Sequence, residues 1–330
     1  MSTAESSTSP YVFVVGCPRS GTTLLQRMLD AHPMLAVAND THFIPQAVDK
    51  VRTGDENQLT PERIEFVRSY KRFSRLGIDG DAVDRAAGTA KTYPEFVSAL
   101  YSEMAQVHGK PLAGEKTPDY VRRIPLLHRL FPDARFVHII RDGRDVALSA
   151  LQWAHDQKGP GRFELWKEQP LAVCALWWAW QVGSGHDEGV RIGSRHYLEV
   201  RYEDLTAEPE QQLQRISDFL ELPYAPEMAS FHEGKTRGGT NRSAKNAWLP
   251  ATSGLRNWRK DLSIVDQALF DTLSGVFLQD LGYQRSSTAI GDDTIATAQH
   301  CLQWWQQEMD RRERKRSDET VAQSQNATGI

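Results

Sequence analysis

Short apolar runs alternate along this chain with polar turns and with apolar positions at helical spacing. Residues 11–15, YVFVV, are apolar and rich in β-branched side chains, which predicts a buried strand. A polar segment follows, and Leu24, Leu25, Met28 and Leu29 then fall at helical spacing until Pro33 stops the helix. Residues 34–37 predict a second strand. It brings residues 39–43 to its carboxyl end, where open α/β sheets place their sites. Residues 46–110 are charged and mostly helical in pattern, with a polar loop at 55–60 and a periodic helix over 92–107. Residues 114–120 are polar and predict a connection between helices, and 125–130 the end of a helix. Residues 135–140, RFVHII, predict a strong strand. It runs into the polar turn Arg141-Asp142-Gly143-Arg144-Asp145 and a helix holding Val146, Ala147 and Ser149. Trp177, Trp178 and Trp180 read as core. Residues 196–200 predict a further strand, 210–220 an amphipathic helix and 235–255 a long polar lid loop. Helices at 267–281 and 296–316 complete the pattern, the last ending in a basic run. Trp304 and Trp305 on it would dock on the body of the chain or on a second copy, giving a homodimer through this helix.

The first strand–turn–helix unit carries the clearest chemistry. Gly16-Cys17-Pro18-Arg19-Ser20-Gly21-Thr22-Thr23 has the glycine spacing of a phosphate-binding loop, with helix N–H groups facing an anion. Thr22 stands where a nucleotide triphosphatase has its lysine, and the cation sits inside the loop as Arg19. Such a loop binds phosphate without ordinary ATP chemistry.

Composition narrows the classes. The 330 residues are 40% hydrophobic and 25% charged, ordinary for a soluble globular protein with ample residues for a core. A formal charge of −4 supplies no global basic field for nucleic acid. Cys17, Cys174 and Cys301 are far apart and odd in number, which suggests neither a disulfide framework nor a zinc site, and a reducing, cytoplasmic compartment. The first ten residues hold no apolar leader core, and no run approaches a membrane span.

Taken together, PRSGTTLLQRMLDAHP, DTHFIP, GEKTP, LFPDARFVHIIRDGRDVALS and YEDL resemble, in order and spacing, the tyrosylprotein sulfotransferases and their bacterial relatives. The resemblance runs from residue 12 to residue 283 and implies a P-loop-type three-layer fold, a central parallel sheet flanked by helices. The domain expectation is a disordered N-terminus (1–10), a sulfotransferase domain (11–285), a helical extension (286–316) and a disordered tail (317–330). The family uses 3′-phosphoadenosine 5′-phosphosulfate (PAPS), gives adenosine 3′,5′-bisphosphate (PAP) and needs no metal. By resemblance, Arg19, Ser20, Gly21, Thr22 and Thr23 hold the 5′-phosphosulfate. Arg141 and Ser149 hold the 3′-phosphate, Tyr202 borders the cofactor, and Arg256 closes over the 3′-phosphate.

Arg19 and Lys116 would stabilise the leaving phosphate. Pro118 stands where cytosolic small-molecule sulfotransferases have their histidine base, and Asp40 falls on the glutamate base of the tyrosylprotein enzymes. Asp40 is therefore the expected general base, His42 the alternative and Glu115 a lesser candidate. His42 and Trp153 each replace a family arginine. These departures leave the acceptor open among the hydroxyls of a sugar, a lipid, a natural product and a peptide tyrosine. A P-loop kinase or NTPase is the competing enzyme class, and a non-catalytic adenosine-bisphosphate binder the competing non-enzyme.

Overall fold

A computed structural model describes residues 10–153, 159–233, 256–286 and 290–327. Chain order begins β1 (Val12–Val15), α1 (Thr22–Asp30), β2 (Leu35–Asn39), α2 (Phe43–Lys50), α3 (Pro61–Ser69), α4 (Ala82–Thr89), α5 (Tyr93–Val107) and β3 (Leu112–Lys116). It continues through α6 (Ile124–Leu130), β4 (Arg135–Ile140), α7 (Gly143–Trp153), α8 (Pro170–Ile192) and β5 (Tyr197–Arg201). The remaining helices are α9 (Tyr202–Ala207), α10 (Pro209–Phe219), α11 (Trp258–Asp261), α12 (Ile264–Asp280) and α13 (Asp292–Ala327). Two compact units emerge, one holding residues up to Ile140 with those from Ser184, the other Arg141–Gly183 with the described residues from Arg256.

The first unit is built on a five-stranded sheet in the order β2-β3-β1-β4-β5, parallel throughout. Alternation along each strand gives the sheet two apolar faces. On one, Val12, Val14, Val137 and Ile139 meet Leu25, Met28 and Leu29 of α1 and Leu213 and Ile216 of α10. On the other, Phe13, Ala113 and Phe136 meet Phe96, Leu100 and Met104 of α5 and Leu127 and Leu130 of α6. This is the expected three-layer α/β arrangement. β1 lies between β3 and β4, so its carboxyl end opens at the switch point where such sheets take ligands. α5 starts at a capping box: Thr92 Oγ1 accepts from Glu95 N–H (3.3 Å) and Glu95 Oε2 accepts from Thr92 N–H (3.2 Å).

One expectation fails here. Residues 114–116 do not connect two helices; they belong to β3, which pairs with β1 on one side and β2 on the other. Its sequence LAGEK lacks an apolar alternation because the ends of the strand serve other purposes. At Gly114 a Cβ would lie 2.6 Å from Val12 Cγ1 and 2.9 Å from Val12 O, so only glycine lets β1 approach this closely. Glu115 and Lys116 are buried to 0% and 1% exposure and are satisfied by polar partners.

In the second unit, Trp178 is buried on α8 and donates from Nε1 to Arg141 O (3.1 Å). α12 begins at Ile264, three residues before the expected start. α13 runs from Asp292 to Ala327, past the expected end at Arg316, so residues 317–327 are helical instead of the disordered tail expected there. Its Trp304 and Trp305 rings lie 6.2 and 4.6 Å from Phe163, and Trp305 lies 6.1 Å from Trp180. Both tryptophans thus dock on their own unit. The expected lid at 235–255, the N-terminal segment 1–9 and the side chain of Trp153 lie outside the described residues. Among the described residues no helix is long and apolar enough to cross a membrane.

Candidate active site

The loop after β1 turns on two residues in the left-handed region, Arg19 (φ 80°) and Gly21 (φ 96°). At Gly21 a Cβ would fall 2.4 Å from the Tyr202 ring, so glycine is required both by the backbone and by the neighbour that closes the loop. Ser20 N–H donates to Cys17 O (3.1 Å), which tightens the turn. Ser20 Oγ is buried and has no hydrogen-bond partner among the described residues. A buried hydroxyl without a partner is costly, and an anion at the helix N-terminus would satisfy it. Thr22 and Thr23 are the first two residues of α1.

β3 carries Lys116 to the same end of the sheet. Its Nζ donates to Asp40 Oδ1 (2.9 Å) and lies 3.5 Å from Thr23 Oγ1. Burial pulls the Lys116 pKa below the ordinary lysine value, and Asp40 opposes that shift. Asp40 follows β2 directly, and its N–H donates to Lys116 O (2.6 Å). Asp40 (φ 57°) and His42 (φ 64°) are both left-handed, so the chain reverses sharply on either side of Thr41. Arg75 reaches across to donate to Asp40 O (3.0 Å) and Asn39 O (3.3 Å) and lies 3.6 Å from Asp40 Oδ2.

His42 sits edge-on to Tyr120, with ring centroids 6.3 Å apart. Burial and then the Arg72 charge push its pKa down to about 4, against the pull of Asp40 and Asp119. It is neutral at pH 7. Glu115 points to the opposite face of β3 from Lys116, into the core, so it is walled off from any acceptor.

The second unit holds the other expected anion residues. Arg141 is buried and lies 3.5 Å from Asp145 Oδ2, and Ser149 is buried two turns along α7. Asp145 Oδ1 also accepts from Trp258 N–H (3.1 Å). Arg256 Nη2 donates to Gln152 Oε1 (3.2 Å). Arg144 is the anchor of this region. It forks onto Asp142 (2.9 and 2.8 Å), reaches Asp271 (3.3 Å) and Gln284 O (2.7 Å), and stacks 3.5 Å from the Trp258 ring.

The profile of the sulfotransferase family matches residues 10–226, which span the loop, β3 and α7. The chain belongs to the sulfotransferase family. It is 30% identical over 222 residues to Protein-tyrosine sulfotransferase A of Caenorhabditis elegans, a match covering 66% of this chain and 51% of that protein. It is 28% identical over 233 residues to Protein-tyrosine sulfotransferase 2 of Gallus gallus, covering 69% and 56%. The chain thus spans about half the length of these curated relatives. Among solved structures, the sulfotransferase domain from the curacin biosynthetic pathway superposes with a TM-score of 0.55 at 20% identity, covering 84% of this chain and 98% of that one. That likeness is one of fold.

Within the first unit of this sulfotransferase-family chain, the expected residues Arg19, Ser20, Gly21, Thr22, Thr23, Asp40, His42, Lys116 and Tyr202 lie on the loop after β1 and the start of α1, the turn after β2, the carboxyl end of β3, or the start of α9. Within the second unit, Arg141, Ser149 and Arg256 lie on or beside α7. Sequence reasoning missed Arg75, Arg144 and Asp145. For the last two the charge alternation of RDGRD was a usable signal. Arg75 lies in a charged stretch with no pattern to mark it.

Proposed function

We propose that this chain transfers the sulfuryl group of PAPS to a hydroxyl acceptor and leaves PAP. The observation that carries this reading is the Lys116–Asp40 pair, 2.9 Å long, standing 3.5 Å from Thr23 at the head of the loop helix. A cation for the leaving side and a carboxylate for the attacking side adjoin an anion-binding loop. The donor, when bound, brings an already activated sulfuryl group. The residues present fit it: the buried Ser20 hydroxyl and the Gly21 turn suit a phosphate. Arg19, Ser20, Gly21, Thr22 and Thr23 would hold the 5′ side, bordered by Tyr202. Arg141, Ser149 and Arg256 would hold the 3′-phosphate. Lys116 and Arg19 place positive charge where the leaving oxygen becomes negative. Asp40 takes the acceptor proton.

The names of the curated relatives favour a peptide tyrosine. His42 and Trp153, in place of family arginines, favour a sugar, lipid or natural-product hydroxyl of the kind used by bacterial members. The three buried thiols suit a reducing, cytoplasmic setting. Labelled donor offered with panels of these four acceptor classes tests the reading directly. On the accepted class, Asp40→Asn should cut kcat by about 10²–10⁴-fold, the usual contribution of a positioned base, while PAP affinity stays at the parent value. His42→Ala is the control. A comparable loss there, with Asp40→Asn silent, would transfer the role to His42, whose neutral ring can also accept a proton. Turnover should survive EDTA. Loss with chelator and rescue by Mg²⁺ would favour the kinase reading, and PAP binding with no turnover on any acceptor would favour the non-catalytic binder.

A further inference from the structure

Glu115 is fully buried, and all three of its hydrogen bonds are accounted for within the first unit. Oε1 accepts from Thr41 N–H (3.1 Å) and from the Thr117 hydroxyl, and Oε2 accepts from Tyr101 O–H (2.7 Å). Thr41 Oγ1 lies 3.2 Å from Tyr101 Oη. Since the tyrosine proton is given to Glu115, Thr41 is the donor in that last pair. Protons therefore run one way, from Thr41 through Tyr101 to an acceptor-only carboxylate. Burial raises the Glu115 pKa, and these three donors oppose the rise.

The position of this knot is what matters. Thr41 separates Asp40 from His42, the two left-handed residues of the turn. Thr41 is the one residue of the three that faces the core, and its own N–H is what Glu115 holds. On the other face of β3, the next residue, Lys116, holds the Asp40 carboxylate (2.9 Å). We infer that Glu115 is a positioning residue for the turn 40–42, fixing Asp40 against Lys116 by clasping Thr41 from inside the core. This deepens the proposed function, on which it rests for the role of Asp40. The half-buried Asp40 is also held by Lys116 and Arg75, and the clasp on Thr41 adds the anchor inside the core that keeps this left-handed backbone from relaxing.

The test compares Glu115→Ala, Glu115→Gln and Tyr101→Phe, each with and without Asp40→Asn. Glutamine keeps the clasp, since its carbonyl accepts from Thr41 N–H and its amide donates to a Tyr101 hydroxyl turned toward Thr41. Glu115→Gln should retain kcat within about threefold. Glu115→Ala should lose about 10–100-fold in kcat with PAP affinity held within about threefold, and should cost nothing further in the Asp40→Asn background. Tyr101→Phe removes one donor and no charge. It should give a smaller kcat loss with PAP affinity unchanged, and it serves if the alanine variant does not fold.

NMR titration of His42 reads the turn without any acceptor. Burial pushes its pKa down to about 4, and the midpoint should climb from the parent's toward the free value of 6.5 in Glu115→Ala as the turn loosens. Equal fractional losses in both Asp40 backgrounds, or a parent-like kcat and His42 titration in Glu115→Ala and Tyr101→Phe, would overturn the inference. A silent Asp40→Asn beside a shifted His42 midpoint would support the clasp and remove Asp40 as the base.

Discussion

Arg141 is the side chain on which the proposed cofactor preference would turn. It is buried at the end of β4, restrained by Asp145, with Ser149 buried on the helix that follows. If it grips a 3′-phosphate, Arg141→Ala should weaken PAP binding by about ten- to a hundredfold, roughly 1.5–3 kcal/mol, and leave AMP binding unchanged. Calorimetry with both nucleotides checks this, and an equal loss for AMP would remove Arg141 from the 3′ site. Arg141 was legible in the sequence because a strong apolar strand delivered it to a polar turn. Lys116 and Asp40 were legible as residues through the motif they sit in. Their 2.9 Å pairing was not, because they lie 76 positions apart on neighbouring strands. Arg75 was invisible for a different reason. Its partners are mainly backbone carbonyls, which carry no residue identity to read.

At the scale of elements, the pattern predicted four of the five strands, since an apolar β-branched run announces a strand buried on both faces. β3 escaped because its glycine and two charges imitate a loop, while its neighbours supply the burial that its own residues do not advertise. A direct consequence concerns Gly114→Ala. The added methyl would meet Val12 backbone and side chain, and urea melts should show a loss of roughly 1–3 kcal/mol, typical of overpacking. Thr92→Ala is a milder companion. It removes the capping box of α5 and should cost about 1 kcal/mol in the same assay. A destabilisation by Thr92→Ala larger than that by Gly114→Ala would contradict the central place of β3.

For the whole molecule, acid is the informative stress. His138 is fully buried on β4 and lies 2.5 Å from Tyr197 Oη, which gives its own proton to Glu199 (2.7 Å). The imidazole must therefore donate from Nδ1, and its Nε2 has no partner among the described residues to receive a second proton's bond. Burial accordingly pushes its pKa down to about 4, as for His42. In both cases the folded protein binds fewer protons than the unfolded chain, whose histidines titrate near 6.5. The contribution of these two histidines to stability should be constant above that value, fall as pH drops from 6.5 to 4, and level off below. The fall per histidine is at most about 3 kcal/mol. Urea midpoints across this window check it. His138→Asn, whose amide can still donate to Tyr197, should flatten the slope. Left-handed backbone at Arg19 suggests a different use of such melts. A non-glycine residue there costs about 1 kcal/mol or more. Relief of that backbone cost should offset part of what the Arg19 side chain contributes to stability, so Arg19→Gly should lose far less in a melt than in its affinity for PAP. Positions where glycine serves the fold better than the native side chain are positions selected for something other than folding. Glycine substitutions at the left-handed positions Arg19, Asp40 and His42, read by denaturation, would then separate what these residues do for the site from what they do for the fold before any acceptor is in hand.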